Sequence, residues 1–184
     1  MLIRPAVLQD SPAIARIQID NYRVAYAPIL PADYLGHFTV AEQEQDWQDW
    51  FAANTHEILL VAEDSAGKLS GYALGKRNLD DVPPYEGELV ALHVRLNTQR
   101  QGVGQLLISA IALALQAQGC NSLFLWVLDA NPARLFYEKL GGCYITSKPW
   151  DNNREFSVNV SEVAYGWLDI LELIRNSQPG RSIT

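Results

Sequence analysis

Histidine, cysteine and basic residues are scarce in this chain, and each shortage excludes something. The three histidines (His37, His56, His93) are scattered along 184 residues, so no metal site is suggested. Cys120 and Cys143 are too few for a disulfide framework. Both have apolar neighbours, which points to buried free thiols in a reducing cytoplasm rather than to catalysis. The 14 Lys and Arg are outnumbered by 21 Asp and Glu, giving a net charge of −7. A nucleic-acid binder would show a basic face, so no nucleic-acid partner is expected. The acidic balance is compatible with a cationic small molecule or peptide, and equally with no special partner. The longest apolar run, Leu106 to Leu115 with a Ser inside, is far below the ~18 residues that span a bilayer. No charged-then-apolar leader opens the chain, so no membrane role is expected.

With 48% hydrophobic residues the chain can bury one sizeable core. A single domain over 1–176 is expected, with 177–184 as a loose tail. Leu2 to Ala6 reads as a strand, followed by Ser11-Pro12 as an N-cap with Pro at the first helical position. Pro28 and Pro31 end that helix, and Ala32 to Ala53 reads as a second one. Glu57 to Asp64 and Leu69 to Lys76 form a hairpin around Ser65-Ala66-Gly67-Lys68. A polar loop, Asn78 to Gly87, leads to a strand from Glu88, a glycine turn and a helix to about Gln118. Leu123 to Leu128 is apolar enough for a sheet interior. Asn131-Pro132 opens a helix to Leu140. Cys143 to Ser147 and Glu162 to Asp169 read as strands, with a last short helix at Leu171 to Arg175. The alternation predicts an α/β fold with a mixed sheet and helices on both faces.

The glycine turn carries the chemistry. Gly102 and Gly104 let backbone approach a ligand closely, and the following helix start adds unpaired N–H donors and a positive dipole end. That combination suits a phosphate or pyrophosphate. A nucleotide P-loop would need Lys after the second glycine, where Gln105 stands. A dinucleotide fingerprint would need a third glycine, where Leu107 stands. Some other phosphate ligand remains, and a lone Gly-x-Gly serves equally well as a structural turn.

Gln99-Arg100-Gln101-Gly102-Val103-Gly104 matches the Gln/Arg-x-x-Gly-x-Gly/Ala loop of the GNAT family of N-acetyltransferases. The chain resembles that family over nearly its whole length. The stretch from Leu125 to Gly142, with Phe136-Tyr137-Glu138-Lys139-Leu140, resembles its second diagnostic motif. Ile3-Arg4-Pro5-Ala6 and Tyr26 to Leu35 also fit bacterial members. The resemblance implies a mixed, mostly antiparallel sheet, acetyl-CoA as cosubstrate and an amine as acceptor. The acceptor would be a small amine or polyamine, or a peptide amine, attacking directly in a ternary complex. The class-different alternative is a non-catalytic acyl-CoA-binding or sensing module.

By resemblance, the CoA pyrophosphate would lie on the N–H groups of Gln101, Gly102, Val103, Gly104 and Gln105. Gln99 starts the loop, and Arg100 adds a positive charge or is simply solvated. The pantetheine arm would run along Leu92, His93 and Val94, with Asn131 capping its helix and touching the arm. Tyr137 would be the acid that protonates the departing thiolate, or else a packing residue. Glu88 would be the base, directly or through water, or else an exposed charge at a strand start. His93 is an alternative base. Alternation puts Glu88 and His93 on opposite faces unless a bulge intervenes. Tyr22, Tyr26, Tyr34, Trp47 and Trp50 are candidate acceptor walls, or core. Asp80, Asp81, Glu86 and Glu88 cluster in sequence and would attract a cation if they line the cleft. Gln99 stands where the family often has Arg, and the contact to the CoA 3′-phosphate is unassigned. Homodimerisation by analogy is left open, with edge pairing through the C-terminal strand as one route.

Overall fold

The computed structural model describes residues 1–53, 56–78, 82, 84–150 and 159–177. Seven strands form one sheet: β1 (Leu2–Pro5), β2 (Ile58–Glu63), β3 (Leu69–Arg77), β4 (Gly87–Val94), β5 (Leu123–Leu128), β6 (Cys143–Pro149) and β7 (Ser161–Trp167). Their order is β1-β2-β3-β4-β5-β7-β6. Only β4 and β5 run parallel; the other neighbours are antiparallel. The last strand is therefore interior, and the edges are β1 and β6. This removes the C-terminal strand as an edge for pairing with another copy.

Six helices occur among the described residues: α1 (Ser11–Ala25), α2 (Ala32–Gly36), α3 (Val40–Ala52), α4 (Val103–Ala117), α5 (Arg134–Lys139) and α6 (Ile170–Asn176). On one face, Leu107, Ile108, Ile111 and Leu115 of α4 are fully buried against Leu89, Leu123 and Leu125. On the other, Ile14 and Ile17 of α1 and Trp47 of α3 pack on Val61, Tyr72 and Leu74. Each such side chain contributes roughly 1.5–3 kcal/mol on burial.

Several boundaries differ from the sequence reading for identifiable reasons. Asp10, not Ser11, precedes the first turn of α1, after a 3₁₀ turn over Leu8–Asp10. Its carboxylate is occupied by Arg4 (2.7 Å) and by the Val7 N–H (2.9 Å). The expected helix from Ala32 to Ala53 is two helices. Thr39 caps the second, accepting the Glu42 N–H at 3.2 Å and donating to the Glu42 carboxylate at 2.7 Å. Asn131 accepts the Ala133 N–H at 2.9 Å, but regular helix starts only at Arg134. Asp169 belongs to the cap of α6 rather than to a strand, accepting the Leu171 N–H at 2.9 Å. Cys120 is buried as expected, whereas Cys143 is exposed because it starts the edge strand β6. The expected loose tail beyond Ser177 lies outside the described residues.

Candidate active site

β4 and β5 pair through only two rungs, Gly87↔Leu123 and Glu88↔Phe124, and then diverge. The backbone of β4 explains what the resulting gap offers. The Arg95 N–H donates to the Ser70 carbonyl beside β3 at 2.8 Å. Residues 93 and 95 thus direct their peptide groups to β3, and Leu92 and Val94 direct theirs into the gap. The Val94 carbonyl is taken up by the side-chain amides of Asn21 (3.1 Å) and Gln99 (3.2 Å). The Leu92 peptide and the Val94 N–H face the gap.

At the open end of β4, the loop turns into α4. Gly102 has φ +84° and no side chain caps the helix start, so the first-turn N–H groups are not used by a cap. Arg100 also lies in the left-handed region, at φ 60°, a conformation costly for a residue with a side chain. Gln99 does not point outward: it donates to Asn21 Oδ1 at 3.2 Å as well as to Val94. Gln101 donates to the Asn97 carbonyl at 3.2 Å. A Cβ at Gly104 would meet the Phe136 ring at 3.3 Å, so glycine here lets α5 approach the loop. That approach brings Tyr137 in: it is buried, and its hydroxyl has no hydrogen-bond partner among the described residues. Burial pushes the Tyr137 phenol above the ordinary tyrosine range, so it holds its proton through the whole neutral range. Tyr26 is raised for the same reason, partly offset by the Asn131 side chain beside it.

A bulge in β4 decides where Glu88 and His93 point. Leu74 pairs with Ala91 but Gly75 pairs with Leu89, leaving Val90 as the extra residue. Glu88 is opposite Lys76, and His93 is opposite Tyr72, four residues away on unbulged β3. Both side chains therefore share the α1 face, as the sequence allowed only with a bulge. They do not share an environment. Glu88 sits at the closed end of the gap, 3.2 Å from the Lys76 ammonium. His93 is stacked on Tyr72, with centroids 5.2 Å apart, and tilted against Tyr22 at 5.6 Å. Burial pulls its pKa down to about 4, so the imidazole is neutral at pH 7.

The α1 face also carries a cleft of about 230 Å³, lined by Tyr22, Tyr26, Tyr34, Phe38, Trp126 and Trp150 among others. Three of the expected wall residues, Tyr22, Tyr26 and Tyr34, are in it. Trp47 and Trp50 are not: Trp47 donates to Gln18 at 2.9 Å, and Trp50 to Glu57 at 2.6 Å, within the core. Phe38, Trp126, Trp150 and the wall carboxylate Glu162 were missed, since they come from four separate segments. Of the four carboxylates that would attract a cation if they lined the cleft, Glu88 is paired with Lys76. Glu86 binds the Asn121 backbone and side-chain amides, while Asp80 and Asp81 lie outside the described residues. No group of three or more metal-binding side chains occurs among the described residues.

The profile of the Acetyltransferase (GNAT) family matches residues 22–142, which include the loop, α4, β5 and α5. The chain belongs to the GNAT family. It is 32% identical over 172 residues to the uncharacterised N-acetyltransferase YuaI of Bacillus subtilis strain 168, covering 93% of this chain and 95% of that protein. It is 27% identical to an L-methionine sulfoximine/L-methionine sulfone acetyltransferase of Pseudomonas aeruginosa, over 98% of this chain and 96% of the relative. The PaiA N-acetyltransferase of Thermoplasma acidophilum, solved with coenzyme A, shares the fold: TM-score 0.66, 15% identity, 90% of this chain and 98% of that one. This GNAT protein is thus an N-acetyltransferase with the mixed, mostly antiparallel sheet of its relatives. No helix among its described residues is long and apolar enough to cross a membrane.

Proposed function

We propose that this N-acetyltransferase moves the acetyl group of acetyl-CoA to a primary amine by direct attack in a ternary complex, in the cytoplasm. The observation that carries the reading is the gap between β4 and β5. It combines inward-facing peptide groups at Leu92 and Val94 with an uncapped helix start at Val103. An amide-bearing arm fits the first and a pyrophosphate the second. Gln101 to Gln105 would meet the phosphates, with Arg100 adding charge at the rim. An exposed free thiol at Cys143 is in keeping with a reducing compartment.

The chemistry needs a neutral amine, a polarised thioester oxygen and a proton for the leaving thiolate. The amine nitrogen bonds to the acetyl carbon as the carbon–sulfur bond breaks. A backbone N–H near Leu92 to Val94 polarises the oxygen. Tyr137 gives its proton to the sulfur and regains one from solvent. The amine proton leaves to Glu88 through water. His93 is the alternative base; it is enclosed by Tyr22 and Tyr72, and burial pulls its pKa down to about 4.

The test is thiol release from acetyl-CoA, with amines including polyamines, short peptides and L-methionine sulfoximine. Tyr137→Phe should lower kcat by about 10²-fold or more, the usual scale for losing a general acid, with acetyl-CoA affinity retained. Unchanged kcat in Tyr137→Phe removes it as the acid. Tight acetyl-CoA binding with no turnover on any amine removes the enzymatic reading.

A further inference from the structure

The cleft on the α1 face has a composition that says something about the acceptor. Its rings form a chain of contacts. Tyr22 meets Tyr26 at 5.1 Å and Phe38 at 5.7 Å, Phe38 meets Tyr34 at 5.2 Å, and Tyr34 meets Trp150 at 5.5 Å. The last three contacts are edge-on, with interplanar angles of 89°, 66° and 79°. Edge-to-face pairs fix ring orientation, so the aromatic lining is preformed. A cavity of roughly 150 Å³ with apolar walls accepts benzene. The cleft, at about 230 Å³, has room for one ring and a short chain.

Its charges are matched internally. The Glu162 carboxylate in the wall lies 3.4 Å from the Lys148 ammonium, and that ammonium lies 4.0 Å over the Trp126 ring. The polar end is equally defined. Tyr26 stands beside both Asn131 and Tyr137, whereas Tyr34 and Trp150 lie at the other end with Leu35. A guest would therefore place a polar group by Tyr26 and an apolar body against the Tyr34–Trp150 pair.

We propose that the acceptor is an arylalkyl primary amine, its amine directed to the Tyr26–Tyr137 end of the cleft and its ring held by Tyr34 and Trp150. The inference rests on the acetyl-transfer reading and narrows its acceptor. The reaction balances as amine plus acetyl-CoA giving the N-acetyl amide plus free CoA: a C–N bond forms, a C–S bond breaks, and the thiol takes the proton that the amine gives up. A polyamine has no body to fill the slot, and its second ammonium meets a carboxylate that Lys148 already neutralises. A triglycine-like peptide brings no ring to set against Tyr34 and Trp150.

The experiment compares phenethylamine, putrescine and triglycine as acceptors for the full chain, by thiol release. Phenethylamine should have the highest kcat/KM, by about tenfold or more, the scale set by filling an apolar pocket. Tyr34→Ala should raise KM for phenethylamine by about tenfold with little change in the acetyl-CoA KM, and Tyr34→Phe, which keeps the ring, should restore it. Putrescine or triglycine used as well as phenethylamine overturns the proposal and leaves acetyl transfer standing. If no amine turns over, phenethylamine is titrated against the CoA-saturated protein and followed by tryptophan fluorescence. Saturable quenching lost in Tyr34→Ala upholds the ligand class while acetyl transfer fails; no saturable quenching overturns the proposal.

Discussion

On the α4 face, Leu107, Ile108, Ile111 and Leu115 are buried in an aliphatic layer. On the α1 face, Trp47, Tyr72, His93 and Tyr22 form a chain of ring contacts, and each brings a polar atom that must be placed. Aliphatic packing is non-directional and asks only that volume be filled. The aromatic face is directional. Gln18 Oε1 accepts from Trp47 and from Tyr72, both at 2.9 Å, while Gln18 Nε2 donates to Gln43 at 3.1 Å. Both faces bury a core, and only the aromatic one also shapes the cleft. Asn21 ties α1 to the end of β4 and to the loop before α4.

Variants of unequal size can break or sharpen that contrast. Ile111→Ala opens a cavity on the aliphatic face and should cost about 2–5 kcal/mol in urea unfolding, with amine KM unaltered. An altered KM with unchanged stability would mean the faces are not separate in function. Asn21→Ala should cost about 1–3 kcal/mol, because the Ile17 and Val94 carbonyls each lose one of their donors and the Gln99 amide loses the Asn21 Oδ1 acceptor. It should also raise the acetyl-CoA KM, which Ile111→Ala should not; equal effects on that constant would deny Asn21 its bridging role.

The aromatic face also has a pH signature. With the folded pKa of His93 near 4, the unfolded chain takes up the proton first as pH falls. Its contribution is present above the ordinary value of about 6.5 and is lost towards pH 4, by at most ~1.4 kcal/mol per pH unit. His93→Gln should flatten the stability profile in that window, and a profile identical to that of the parent would contradict a buried neutral imidazole. The smallest change concerns the loop between the faces. Arg100→Gly relieves the left-handed backbone and should stabilise by about 0.5 kcal/mol, after the entropy that glycine adds to the unfolded chain. A loss of stability would show that the Arg100 side chain contributes more than its backbone costs.

The aliphatic face was legible in the sequence because periodicity reports it directly. Leu107, Ile108, Ile111 and Leu115 repeat at helical spacing, and Gly102 and Gly104 punctuate the entry to their helix. The glycine turn before α4 and the helix that carries Tyr137 were readable as local structure because each lies in one contiguous stretch. The cleft was not, since Phe38, Trp126, Trp150 and Glu162 meet only through tertiary structure. Aromatic type alone could not separate Tyr34, a wall, from Trp47, a core residue. The break before α3 was available in Thr39-x-x-Glu42, a capping pattern that a long apolar stretch obscured. The bulge at Val90 left no trace in residue type, yet it settles which way Glu88 faces.

The divergence of β4 from β5 leaves a sheet with an edge in its middle. Unpaired strand edges ordinarily invite other chains to add on and aggregate. Here the edge is shielded above and below by helices and across the gap by β5, so a partner sheet cannot reach it. A guest that pairs with this edge would have to enter as an added strand between β4 and β5, so the fold would select by girth before any side chain reads its chemistry.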